Sequence, residues 1–347
     1  MATMADIARA ANVSVSTVSY ALSGKRPISA ETRRRVLAAM DAAEFRPHAA
    51  GRALASRRSR TVGLLFPAVG KGVTELQLEF FTSAAETAGE HGYAFILSTA
   101  PNDDVEVLRL SRDGIVDGLI LMEVRRHDPR VALLRAEGVP FSLIGHCDEN
   151  VGYSFVDLDF ARALETAVAH LAGLGHREIA FVNTSAALLE AGYGPAVRSL
   201  AGFESALARF GLRGHHVACE PTRDAGLELT DHLVAEFPAV TAVVSINREA
   251  LGALVGRAYE LGVAIPGDLS VVGVLSERLA RLFSPPLTTV DFPVAAMARL
   301  GTELLIRQLE GGGAEPTQTM FDGALAVRSS SGPAPARASP VLAAAAR

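Results

Sequence analysis

The side chains in this sequence with most capacity for chemistry are hydroxyls. Ser14, Ser16, Thr17, Ser19 and Tyr20 fall within one uncharged stretch. At the start of a helix, outward N–H groups and small hydroxyls favour an anion, because the helix dipole and the donors act together. A phosphate backbone is such an anion. The same residues also suit an ordinary helical hairpin whose serines only cap. Other groupings are poorer. His146, Cys147 and Asp148 are consecutive, and neighbours on an extended chain point to opposite faces, so they make no triad. His215 and His216 with Cys219 lack a second ligand cluster, and the pair reads as a solvated loop. No glycine-rich fingerprint stands in strand–helix context. The expectation is no catalytic residue, no metal site and no cofactor.

Helices must position the hydroxyls. In residues 3–22, TMADIARAANVSVSTVSYAL, Thr3 and Asp6 have capping-box spacing, and Ile7, Ala8 and Ala11 make a small apolar face. Asn12 tolerates the left-handed conformation that ends a helix. Ser14 can cap a second helix over 14–22, buried through Val15 or Val18 with Leu22. Two short helices around a three-residue turn form a helix-turn-helix. Ser29 caps a third helix over 30–43, with Val36, Leu37 and Met40 inward and Arg33, Arg34 and Arg35 outward. Residues 49–56 are too short for a stable helix alone, and Gly51 weakens them further.

The run VSVSTVSYALSGKRPISAETRRRVLAAMDAAEFRPHAAGRAL resembles the headpiece of the lactose-repressor (LacI/GalR) family of bacterial transcription regulators in order, spacing and identity. The resemblance implies a DNA-binding headpiece over 1–47 and a hinge helix and linker over 48–60, the hinge forming when two protomers meet on the operator. It implies base reading by Val15, Ser16 and Tyr20. It also implies phosphate contacts from Ser14, Thr17, Ser19, Ser29 and Thr32, and a minor-groove hinge with His48, Gly51 and a Leu54 wedge. Tyr20 replaces a common arginine, so the bidentate guanine contact is lost. Gly51 replaces a common alanine.

Charge distribution agrees with a reader of nucleic acid. Residues 1–60 hold 11 Lys/Arg against 4 Asp/Glu, whereas the remainder hold 22 against 34. Attraction is therefore confined to one end. Two cysteines are too few for a disulfide framework. The N-terminus lacks the apolar segment of a signal peptide, and no apolar run approaches the ~20 residues of a membrane helix. A cytoplasmic location without a membrane partner is expected.

From Thr61 onward, TVGLLFP, YAFILS, DGLILM, PFSLIG, REIAFVN, TAVVSI and LSVVGV are apolar, β-branched runs separated by helical stretches. They read as buried parallel strands in βαβ units, whose ligands sit beyond the strands' carboxyl ends. HLAGLGHREIAFV, VAIPGDLSVVGV and SPPLTTVDFPVAAMARLGTELLIRQLEGG are similar to the family's effector-binding core, so the resemblance spans about residues 3–330. It implies an all-α headpiece plus an α/β core of two Rossmann-like lobes, periplasmic-binding-protein-like, type I. The N-terminal lobe would take 61–159 and 290–320, and the C-terminal lobe 160–289 and 321–330. Crossings fall near Asp159, Val290 and Met320. The Pro/Ala-rich tail 331–347 reads as disordered.

The resemblance places effector contacts at Asn247, Arg198, Arg248, Leu275 and Gly145. Arg248 and Leu275 replace acids, and Gly145 stands where an acid is common. Ser199 occupies the arginine position ahead of Gly202-Phe203, leaving Arg198 displaced by one residue, or about 100° on a helix. A hexose would be poorly served by such a site. The effector class stays open between carbohydrate-derived and anionic, and a site without the ordinary sugar response is the other option. Each arginine could instead form a surface or interlobe salt bridge.

The expected function is a sequence-specific, homodimeric transcriptional regulator of the repressor type. It would bind a pseudo-palindromic double-stranded DNA operator under control of a small-molecule effector. The alternatives are a solute-binding sensor without operator-specific regulation and, less in keeping with the residues, a sugar-processing enzyme. Leu54→Ala is expected to weaken operator binding far more than non-specific DNA binding; equal losses in a titration against both duplexes would remove the wedge.

Overall fold

The computed structural model describes residues 2–23, 26–43, 58–66, 73–99, 104–311 and 315–336. The amino-terminal unit is three helices, α1 (Met4–Ala10), α2 (Val15–Ser23) and α3 (Ala30–Ala42). Thr3 and Asp6 form the reciprocal capping box at α1. Asn12 takes φ 49°, and the Val13 amide returns to the Ala8 carbonyl at 2.9 Å, which closes the turn. Ile7, Ala8, Ala11, Val18, Ala21, Val36 and Met40 make the core of this unit. Of the two options for α2, Val18 is the buried residue and Val15 is 47% exposed. The inward assignment of Leu37 is corrected. Val36 and Met40 already fill the core-facing stripe of α3, and Leu37, about 100° round from Val36, is 44% exposed.

Among the described residues of the body, twelve strands make two six-stranded sheets. They are β1 (Thr61–Leu65), β2 (Ala94–Ser98), β3 (Gly118–Leu121), β4 (Phe141–Ile144), β5 (Ser154–Leu158), β6 (Glu178–Asn183), β7 (Arg213–Ala218), β8 (Ala242–Ser245), β9 (Ser270–Leu275), β10 (Thr288–Asp291), β11 (Gln318–Phe321) and β12 (Leu325–Ala326). The first sheet runs β2-β1-β3-β4-β5-β11 and is parallel throughout. The second runs β7-β6-β8-β9-β10-β12, with only β12 antiparallel. Each lobe thus repeats one doubly wound order, with a switch point beside its first strand. Helices cover both faces, which is why the central strands are apolar without alternation.

The chain leaves one sheet for the other after Leu158, after Asp291 and after Phe321. The last two crossings lie one to a few residues beyond Val290 and Met320, because β10 and β11 finish their ladders first. Helix Val294–Leu309 belongs to the first lobe: it packs on helix Glu75–Glu90, and Ser142 donates to the Gly301 carbonyl at 2.8 Å. The disordered tail is corrected over its first residues. Ser331 bonds Thr288 at 2.7 Å and His170 at 2.9 Å, the Gly332 carbonyl lies 3.1 Å from the His176 ring, and the Ala334 amide reaches the Leu174 carbonyl. The loop reading of His215-His216 is also corrected. Both lie on the edge strand β7, whose half-exposed pattern lacks an apolar run, with His215 3.0 Å from Glu178 and His216 3.2 Å from Asn183.

Helix Gly194–Phe210 crosses helix Phe160–Gly173 closely at Gly202, where an added Cβ would strike the Ala161 backbone. Neighbouring Phe203 is buried on Phe181 at 5.3 Å. Gly202→Ala is expected to cost roughly 1–3 kcal/mol through overpacking, visible as a lower midpoint in thermal unfolding; an unchanged midpoint would mean that the two helices part freely.

Candidate functional site

Two surfaces carry the chemistry. On the headpiece, Ser14 Oγ accepts from the Thr17 amide at 3.1 Å and pairs with Thr17 Oγ1 at 2.8 Å. Ser29 and Thr32 repeat this at α3, with the same two distances. Each cap orders a helix N-terminus and leaves hydroxyls beside its free N–H groups. Val15 and Ser16 stand exposed on the first turn of α2, with Ser19 and Tyr20 half-buried further along. Arg26 lies over the Tyr20 ring, 5.6 Å from its centroid, a contact not read from the sequence. His48, Gly51 and Leu54 lie outside the described residues.

The second surface is a cavity of about 250 Å³ between the lobes, at the carboxyl ends of both sheets. Asn247, Arg248 and Gly145 line it. Asn247 caps helix Arg248–Glu260: its Oδ1 accepts from the Ala250 amide at 3.1 Å, and its Nδ2 donates to the Cys219 carbonyl at 2.9 Å. Arg248 reaches across the lobes to Glu75 at 2.5 Å. Arg198 also crosses, donating to the His146 carbonyl at 2.8 Å with Asp148 and Asp157 at 3.6 and 3.7 Å. It is not part of the cavity lining. Leu275 is corrected as a contact: its side chain is buried with Leu251 and Leu279 on the far face of β9, whereas Val274 faces the cavity.

Comparison with known proteins agrees with this geometry. Residues 3–48 match the model of bacterial regulatory proteins of the lacI family, and residues 168–331 match the periplasmic binding protein-like domain. The HTH-type transcriptional regulator AglR of Rhizobium meliloti (strain 1021) is 33% identical, over 95% of this chain and 94% of the relative. The chain belongs to the LacI family. It is a DNA-binding transcriptional regulator. A solved complex of the transcriptional regulator CelR with cellobiose superposes with TM-score 0.69 at 26% identity, covering 95% of this chain and all of that one. The lac repressor dimer bound to operator superposes with TM-score 0.81 at 22% identity, over 95% and 99%, and shares the fold.

Within this LacI-family cleft, sequence reasoning missed Glu123. It stands two residues past the end of β3, so the rule that ligands sit beyond strand ends was the available signal. Glu123 takes φ 53°, a left-handed conformation rare for its type. Arg130, 1% exposed, holds that turn: it donates to the Met122 and Glu123 carbonyls at 3.0 and 3.1 Å and pairs with Asp128 at 2.7 Å. The next residues meet the other lobe through backbone bonds, Arg126 amide to Gly192 carbonyl at 2.8 Å and Gly194 amide to Val124 carbonyl at 3.1 Å. Burial pushes the Glu123 carboxyl from 4.5 up to about 7, against a hydrogen bond from Tyr193 and the charge of Arg130. Glu249 is also raised by burial, and the Cys219 thiol is pushed up to about 11. Among the described residues no group of three His, Cys, Asp or Glu side chains could hold a metal ion, and no helix is long and apolar enough to cross a membrane.

Because the native protein holds the Glu123 proton more tightly than the unfolded chain, the stability it contributes is present below pH 4.5 and lost as pH rises through about 7. Glu123→Gln removes this loss: at about pH 8 the variant should melt a few degrees above the parent, and at about pH 4 the two should coincide. Equal midpoints at both pH values would show that the carboxyl is not buried at a cost.

Proposed function

We propose that the chain works as a homodimer on a pseudo-palindromic operator, as a repressor controlled by a small effector in the interlobe cavity. Val15, Ser16 and Tyr20 read base edges, while Ser14, Thr17, Ser19, Ser29 and Thr32 set the register on phosphates. His48, Gly51 and Leu54 act in the minor groove at the centre. Asn247, Arg248 and Gly145 serve the effector site, and Arg198 acts on it through the interlobe contacts at His146, Asp148 and Asp157. No step in this function is catalytic.

The supporting observation is the pair of matching hydroxyl caps, Ser14–Thr17 and Ser29–Thr32, on one small unit with Val15 exposed between them. Two oriented helix N-termini on a basic module favour two phosphates at a fixed separation. Complex formation of a 26%-identical relative with cellobiose supports a hydroxyl-rich effector. The anionic alternative is disfavoured, since Arg248 and Arg198 are both engaged by carboxylates of the other lobe. A ligand that alters the lobe angle changes affinity for DNA to the extent that it binds the two arrangements unequally.

The test is selection of duplexes from a random pool by the full chain. An inverted-repeat consensus is expected, with affinity falling steeply with salt, by a log–log slope of about −0.9 per phosphate contacted. A pool that stays random would favour the solute sensor without operator-specific regulation.

A further inference from the structure

We propose that the effector carries a protonated amine on a small hydroxyl-bearing skeleton, and that Glu123 is the carboxylate that receives the amine. The inference rests on the interlobe cavity being the effector site and adds the ligand's charge.

The cavity wall is acidic. Among the described residues, Glu123, Asp157, Glu220 and Glu249 line it against a single guanidinium, Arg248. The terminal nitrogens of Arg248 face Glu75 at 2.5 Å and Glu249 at 3.7 Å, while its buried Nε has no hydrogen-bond partner among the described residues. Asp157 is taken by the His146 ring at 2.7 Å and by the Leu158 amide at 2.8 Å, with Arg198 at 3.7 Å. Among the described residues the lining therefore carries more carboxyl groups than cations, which favours a cationic ligand there over an anionic one.

Glu123 stands to gain most from a cation. Its partner across the cleft is the neutral Tyr193 hydroxyl, and the buried Arg130 beneath it is paired with Asp128. A partly buried carboxylate of this kind is costly alone and is repaid by an opposite charge. Its presentation is rigid, because Arg130 grips the carbonyls of Met122 and Glu123 and fixes the left-handed turn. Strained residues held by their surroundings are characteristic of ligand clamps. An amine at Glu123 would compete with Tyr193, so ligand entry would exchange an interlobe hydrogen bond for a ligand contact.

The rest of the lining sets the skeleton. Phe66, Phe80, Phe160, Phe292, Met122 and Met297 supply ring faces and apolar surface, suited to the C–H face of a sugar-like ring. About 250 Å³ is just below the ~300–1,000 Å³ of ordinary ligand pockets, which points to a single ring.

The experiment is calorimetric titration of the full chain at neutral pH with D-glucosamine, D-glucose and D-glucose 6-phosphate. Affinity for the selected duplex is measured with and without each. Glucosamine is expected to bind at least about tenfold more tightly than glucose, and the phosphate more weakly than either. In Glu123→Gln, which keeps the size of the side chain and removes its charge, glucosamine and glucose should come within about twofold of one another. The selected duplex reports that the variant is folded. Glucose equal to glucosamine, a preferred phosphate, no binding by glucosamine, or an undiminished preference in the variant would each overturn the proposal. If glucose binds and changes duplex affinity while the amine brings no advantage, the effector site stands and only its charge assignment fails. If no sugar changes duplex affinity, the effector reading itself fails.

Discussion

Phe292 lies where the chain passes from one lobe to the other, and its ring meets Phe80 of the first lobe edge-on at 5.7 Å and Phe160 of the second at 5.5 Å. Around these rings a single apolar core runs from Val62 and Leu64 in one sheet to Val244 and Val272 in the other. Aromatic pairs of this geometry contribute about 0.5–1.5 kcal/mol each beyond their burial. Arg198 and Asp157 meet mostly buried, whereas the pairs at Glu75 and Arg278 are more exposed, with half or more of each of those two side chains showing. Such pairs contribute about 0–1 kcal/mol. The apolar hinge therefore holds the lobes together, and the ion pairs bias their angle at low cost.

That division suits a regulator. Ring packing is non-directional, whereas the cleft edges carry directional polar contacts that a change of lobe angle would break. Arg248–Glu75, Arg278–Glu79, the Arg198 contacts and the 124–126/192–194 backbone bridge are of this kind. Among the described residues the headpiece has its own apolar core, so its surface chemistry is set locally by caps and by one turn. Among the described residues no apolar cluster is shared between the headpiece and the lobes.

Much of this was legible in the order of residues. Thr3 with Asp6, Asn12, Ser14 and Ser29 act within four residues of themselves, so capping and turn chemistry identified the headpiece helices directly. Buried parallel strands announced themselves as apolar runs, since both faces of the sheet are covered. Strands that break that rule went unread: β7 and β11 lie on edges, and β5 carries Asp157 in its middle because His146 and the Leu158 amide satisfy it.

The effector site was the least legible part. Sequence position put Leu275 beside the ligand, but alternation along β9 turns it into the core. It also offered Arg198 and Arg248 as anion receptors, when acids far away in the chain had already claimed them. Glu123 gained its role from Arg130 and Tyr193, one beneath it and one across the cleft. Interactions that close within one helical turn are written in the sequence, because their partners are fixed by spacing. The charge balance of a cleft is not, because it depends on which distant side chains the folded chain brings within a few ångströms.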